Sequence, residues 1–209
     1  SVLWELKEGK LRLVATDINR LVIKDLPVMG EFEEEFLVPV KSLKEMAAIF
    51  GDDQEHEIHF LLLNRQLYAT SRGVVFYTRL INAQFPRYEQ VIPVEFDGQI
   101  QCDRTSILTA LTRSSLVESA VKLSLSPDCL NIYAMSPDLG QFSEDLNCSY
   151  QDESFEIGFN VFYLMDFLKV IEPDRQVIFN LSKGMKASVL KVEGSEDYTY
   201  VIMPLRLNY

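Results

Sequence analysis

Phe155-Glu-Ile-Gly-Phe-Asn-Val-Phe-Tyr163 is the stretch on which the fold turns. Its first four residues have the pattern of a strand, Asn160 is a good helix N-cap, and Leu164, Phe167, Leu168 and Ile171 then recur at helical spacing over 161–171. The charged turn 172–175 follows, and then a strand over 177–181. The first half repeats this order. Glu35-Phe-Leu-Val-Pro-Val-Lys-Ser-Leu43 leads a helix over 40–50, with Leu43, Met46, Ala47 and Phe50 on one stripe, then charged 52–55, then a strand over 58–62. Residues 11–15 likewise parallel 130–134. Both pairs lie about 120 residues apart, a spacing that marks duplicated domains rather than a short solenoid repeat.

Counting elements outward from these copies gives the organisation. A third helix is expected over 104–116, with Asp103 as N-cap and Ile107, Leu108 and Leu111 apolar. Alternating runs predict strands at 99–102, 121–125, 130–134 and 142–149, and again at 187–193 and 198–203. Strand–helix–three strands therefore occurs twice in the second half, from Gln99 and from Phe155, and once in the first half, from Phe36. The strands expected at 2–6, 11–16 and 21–24 lack a leading strand and helix. The repeat thus predicts a first domain short of roughly 25–30 residues, the size of one strand–helix segment with its turns. Pro86 and Pro93 mark 82–93 as an ordered linker. The expected class is α+β, with domains at 1–84 and 94–209 joined by 85–93.

Composition narrows the function. At 209 residues and 47% apolar content the chain has the makeup of a globular protein, without an apolar run long enough to span a membrane. Cys102, Cys129 and Cys148 are odd in number and lack C-x-x-C spacing, which favours a reducing cytoplasm over a disulfide scaffold. A net charge of −11 opposes indiscriminate nucleic-acid binding but allows a locally basic face on an acidic body. Glu33, Glu34 and Glu35 read as a solvated strand edge. His56 and His59 fall on opposite faces of one strand, so no shared metal is expected, and without a Gly-rich phosphate loop, nucleophile elbow or C-x-x-C pair neither is a cofactor or catalytic set. Asp17, Asn19 and Arg20 with the histidines suggest a small hydrolase as a rival reading, although Asp and Asn after a strand more often serve a turn. A second rival is a peptide-binding adaptor without a DNA role.

The end of the chain, 200–209, starts as a strand that Pro204 stops, followed by Leu205, Arg206 and Leu207. Such a tail either tucks into its own domain or, through Met203, Pro204 and Leu205, walls an apolar groove open to partners; Met suits a surface that accepts several peptides.

Four ordered motifs carry a resemblance to a known family. Leu13-Val-Ala-Thr-Asp-Ile-Asn-Arg-Leu21 resembles the LVATDGHRLA segment of the bacterial DNA polymerase III β sliding clamps. Phe85-Pro-Arg-Tyr-Glu-Gln-Val-Ile-Pro93 is similar to their FPDYRRVIP linker, 156–164 to EIGFN…YL, and 200–207 to YVVMPMRL. The resemblance covers the second and third of that family's three domains, beginning inside the second. It implies processivity-fold domains with helices on an inner face and antiparallel sheets outside, two subunits closing head to tail as a ring homodimer around duplex DNA. This chain alone is expected not to close a ring.

The resemblance also implies the sites. DNA-facing candidates are Lys41, Lys44, Arg104, Arg113, Asn160, Tyr163 and Lys169. Replicative polymerase, clamp loader and repair proteins would dock short apolar peptides between the second and third domains. The carried-over groove residues are Thr16, Arg20, Leu21, Pro86, Val91, Ser188, Val201, Ile202, Met203, Pro204, Leu205, Arg206 and Leu207. The implied role is a non-catalytic clamp in the bacterial cytoplasm. Ile18-Asn19 departs from the family's Gly-His, Gln90 replaces a basic linker residue, and Asn208 and Tyr209 extend past the usual end.

Overall fold

Alternation of apolar and polar side chains, interrupted by three amphipathic stretches, produces an α+β chain built on antiparallel strand pairs. The computed structural model describes residues 1–30, 33–51 and 56–207. These divide into two units, one of residues 1–16 and 23–86, the other of 17–22 and 87–209.

The first unit contains β1 (Val2–Lys7), β2 (Lys10–Thr16), most of β3 (Arg20–Pro27), β4 (Glu34–Val38), α1 (Val40–Phe50), β5 (His59–Leu63), β6 (Gln66–Ser71) and β7 (Val74–Arg79). Strand β1 pairs antiparallel with β2 (Leu3 opposite Val14) and with β4 (Val2 opposite Val38), while β5, β6 and β7 form a separate meander. Trp4, Leu11, Val38 and Leu67 make a small core, and the Trp4 ring meets Phe60 edge-on at 5.3 Å. Helix α1 occupies the residues its stripe predicts, yet it buries none of them completely. Among the described residues of this unit no second helix covers it. The charged 52–55 segment lies outside the described residues.

The second unit runs through a short 3-10 turn (Tyr88–Val91), β8 (Gly98–Asp103), α2 (Arg104–Ser114), β9 (Ala120–Ser126), β10 (Cys129–Ser136), β11 (Gly140–Asn147), β12 (Phe155–Asn160), α3 (Val161–Lys169), β13 (Gln176–Leu181), β14 (Ser188–Val192) and β15 (Tyr198–Ile202). The β-α-β-β-β order thus appears twice here and once from β4, as the sequence repeat requires. Each leading strand crosses over to the other module: β12 pairs with β9 (Ile157 opposite Leu123) and β8 with β13 (Cys102 opposite Val177). The copies interlock rather than fold side by side.

Both second-unit helices are capped as expected. Asp103 accepts from the Ser106 N–H at 2.7 Å and Asn160 from the Phe162 N–H at 2.9 Å. Both end earlier than their apolar pattern suggests. Leu116, at 76% exposure, lies beyond the last turn of α2 instead of extending its stripe. Ile171 is buried but follows the end of α3, its N–H donating to the Leu168 carbonyl at 3.3 Å. Helices α2 and α3 pack on each other and bury Ile107, Leu111, Leu164, Phe167 and Leu168 over the sheets. Phe167 meets the rings of Phe179, Tyr198 and Tyr200 at 6.2, 5.9 and 5.4 Å. Among the described residues no helix is long and apolar enough to cross a membrane.

Candidate partner-binding site

The second unit brings three of its segments together: the 17–20 turn, the middle of α3, and the end of β15. Asp17 builds the turn. Its Oδ1 accepts from the N–H groups of Asn19 (3.2 Å) and Arg20 (3.1 Å), and its own N–H donates to the Arg20 carbonyl. The closure forces Ile18 to φ +79°, left-handed backbone that a β-branched residue adopts only at a cost.

Arg20 then reaches toward α3 and β15. Its Nε donates to Asp17 Oδ2 (2.9 Å), and its Nη1 donates to Asp166 Oδ2 (2.5 Å) and to the Tyr200 hydroxyl oxygen (3.3 Å). The guanidinium lies 4.3 Å over the Tyr163 ring. Tyr200 in turn donates to the Tyr163 carbonyl at 2.9 Å. Partial burial works against the charge on Arg20, but the bonds to Asp166, Tyr200 and Asp17 outweigh it and hold its pKa above the usual value. Burial also raises the Tyr200 phenol, partly offset by Arg20, and pushes Tyr198 up to about 12. Both phenols are therefore neutral at ordinary pH.

The tail is stitched down beside this cluster. Met203 N–H donates to the Asn19 carbonyl and Leu205 N–H to the Gly158 carbonyl, each at 2.8 Å, with Pro204 buried between them. Gly158 is required by the approach of the tail: a Cβ there would lie 2.6 Å from Leu207 Cγ and 2.8 Å from the Leu205 carbonyl oxygen. The first of the two sequence readings of this tail, tucking into its own unit, holds for the backbone. Met203 and Leu205 keep 37% and 39% of their surface exposed.

The groove residues carried over from the resemblance separate into three sets. Arg20, Met203, Leu205, Arg206 and Leu207 gather at the tail, and Val91 is exposed in the 3-10 turn of the same unit. Leu21, Ser188, Val201, Ile202 and Pro204 are buried, so their side chains support the site from behind instead of presenting surface. The run Tyr200, Val201, Ile202 is buried at every position because β15 is covered on both faces. Ser188 Oγ is occupied by the Ser182 N–H at 3.2 Å. Thr16 and Pro86 are exposed residues of the first unit. Asn208 and Tyr209 lie outside the described residues.

The basic candidates also divide. Lys41, Lys44 and Lys169 are exposed, with Lys41 Nζ 3.9 Å from Glu45. Arg113 is paired with Glu144 (Nε to Oε2, 3.0 Å), and Arg104 Nε donates to the Leu168 carbonyl at 2.8 Å. Asn160 caps α3, and Tyr163 lies beneath Arg20, so both already have structural duties. The hydrolase reading loses its centre, since Asp17 holds a turn and Arg20. His56 precedes β5 rather than lying on it, with Nδ1 2.7 Å from Arg72 Nη2. Asp166 and Tyr200 were missed by sequence reasoning. The available signal was the three-residue spacing of Tyr163 and Asp166, which puts them on one helix face.

Comparison with known proteins identifies the family. Residues 89–206 match the family model described as DNA polymerase III beta subunit, C-terminal domain, and residues 1–87 match its central domain. A beta sliding clamp of Pseudomonas putida is 32% identical over 212 residues, covering 99% of this chain and 57% of that protein. Among solved structures, a DnaN sliding clamp of Pseudomonas aeruginosa bound to griselimycin is similar with a TM-score of 0.93 at 32% identity, covering 99% of this chain and 57% of that one. The DNA polymerase III beta subunit of Thermotoga maritima gives a TM-score of 0.91 at 28% identity, over 99% and 57%. The chain therefore spans a little over half the length of these relatives.

Proposed function

Since the chain belongs to the DNA polymerase III β subunit family, through its central and C-terminal domains, we propose that it is a non-catalytic clamp component that ties partner proteins to duplex DNA. Partners dock a short apolar peptide on the second-unit site formed by the 17–20 turn and the 203–207 tail. The observation that carries this reading is the exposure of Met203 and Leu205 on a backbone fixed at both ends, to Asn19 and to Gly158. Preorganised apolar surface of this kind gains burial of about 25 cal/mol per Å² without having to order itself first. The partners are replicative polymerase, clamp loader and repair factors, met in the bacterial cytoplasm. Lys41, Lys44 and Lys169 supply loose, sequence-independent phosphate contacts, as part of a ring built by the whole protein.

Griselimycin, named as the ligand of a similar clamp, is a suitable probe. Binding is expected by calorimetry, and Met203→Ala with Leu205→Ala should weaken it at least about tenfold with an unchanged melting curve, as for loss of central apolar anchors. Unaltered affinity in the double variant would overturn the assignment of this site.

A further inference from the structure

We propose that Cys102 and Cys148 form a dithiol site that a hydroperoxide converts to a disulfide, stapling β8 to the segment that follows β11. The pairing comes from strand register. Gln101 and Ser149 form an antiparallel bridge and exchange both backbone bonds, Gln101 N–H to the Ser149 carbonyl at 3.3 Å and Ser149 N–H to the Gln101 carbonyl at 2.9 Å. The next pair along sets Cys102 opposite Cys148 as a non-hydrogen-bonded pair, the kind in which facing Cα atoms approach to about 4.5 Å and side chains lie closest. That separation falls within the roughly 4.4–6.8 Å that a disulfide spans. Burial agrees with this register. Ile100, Cys102, Cys148 and Tyr150 are buried in one core, whereas Gln101 is half-buried and Ser149 exposed. The two sulfurs are also close enough that charge on Cys148 would raise the Cys102 thiol further.

Burial keeps both thiols protonated, so in the reduced chain they behave as small apolar groups. A disulfide is uncharged and suits the same surroundings. Its formation breaks two S–H bonds and joins the sulfurs. The two electrons and two protons pass to the hydroperoxide, whose O–O bond breaks to give an alcohol and water, or two waters from hydrogen peroxide. Scarce thiolate makes the step slow, so the pair stays reduced in a reducing compartment and closes under sustained oxidation. Cys129 lies near Cys148 but on the outer face of β10, opposite Asn147 and alternating with buried Leu130 and Ile132. The staple would enclose α2, β9, β10 and β11 and tie β8, the end strand of its sheet, to the sheet of β9–β12.

The test takes the full chain, reduces it, holds it with hydrogen peroxide, then unfolds it and alkylates it with N-ethylmaleimide before mass spectrometry. Peptide mapping without reductant should find Cys102 joined to Cys148 within one chain, with Cys129 outside the bond, and dithiothreitol should reverse it. Cys129→Ser should still close and end with no alkylated thiol, whereas Cys102→Ser and Cys148→Ser should form no bond within the chain. Stapled Cys129→Ser should melt several degrees above its own reduced form, because the bond removes freedom from the unfolded loop. The proposal would be overturned if both thiols of Cys129→Ser stay open to alkylation, if the wild type ends with Cys129 in the bond, or if the stapled form melts no higher than the reduced one.

Discussion

Ile18 holds φ +79° at 92% exposure, in a turn where the related motif has glycine. The Asp17 bonds and the tie from Met203 to Asn19 fix this backbone from both sides and hold Ile18 in the left-handed region. Replacing Ile18 with glycine should relieve left-handed strain and raise stability by roughly 1 kcal/mol, net of the larger entropy of an unfolded glycine; differential scanning calorimetry reads this as a higher Tm. Gly158 presents the opposite case. Gly158→Ala puts a methyl into Leu207 and the Leu205 carbonyl, and should cost about 1–3 kcal/mol as overpacking, with griselimycin affinity falling because the tail is displaced. A variant that melts and binds like the wild type would show that the tail does not depend on this approach. Cys102 and Cys148 illustrate burial at the same scale: it pushes their thiols up to about 12 and about 11. Native alkylation followed by mass spectrometry should therefore modify half-buried Cys129 first.

Helix α2 shows how a single cap ties an element to pH. Hydrogen bonds from the Ser106 side chain and N–H hold the Asp103 carboxyl below its ordinary pKa. A depressed folded pKa means that the contribution is present above the unfolded value, about pH 4, and is lost as pH falls through the folded value. Asp103→Ala should cost about 1 kcal/mol at pH 7, Asp103→Asn much less, and the gap between Ala and wild type should close toward pH 3 in chemical denaturation. The helix starts were legible in the sequence because a cap is local: Asp103 and Asn160 need only their own next few residues. The helix ends were less so. Leu116 and Ile171 continue the apolar pattern, but α2 ends at Ser114 and α3 at Lys169, and Ile171 is buried without being helical, so an apolar spacing does not by itself mark where a helix stops.

At the scale of the molecule the two units differ in how much they bury. The second closes α2 and α3 over sheets through Leu164, Phe167 and Phe179, all fully buried, while α1 of the first buries no residue completely. Hydrogen exchange should accordingly protect α3 and β13 far longer than α1 and β5; equal protection would show that this difference in core has no energetic weight. The sequence by itself determined the modular order, because periodicity, caps and turns are short-range and occur in matching copies about 120 residues apart. It also carried the motifs that mark the family. What only the tertiary structure decided is which side chains face outward at the tail. Val201 and Ile202 are groove residues by the family resemblance, yet β15 is covered on both faces and their side chains are buried. The Arg20 cluster was equally hidden, since its members at positions 17, 20, 163, 166 and 200 are distant along the chain and become neighbours only when the turn, α3 and β15 close on one another.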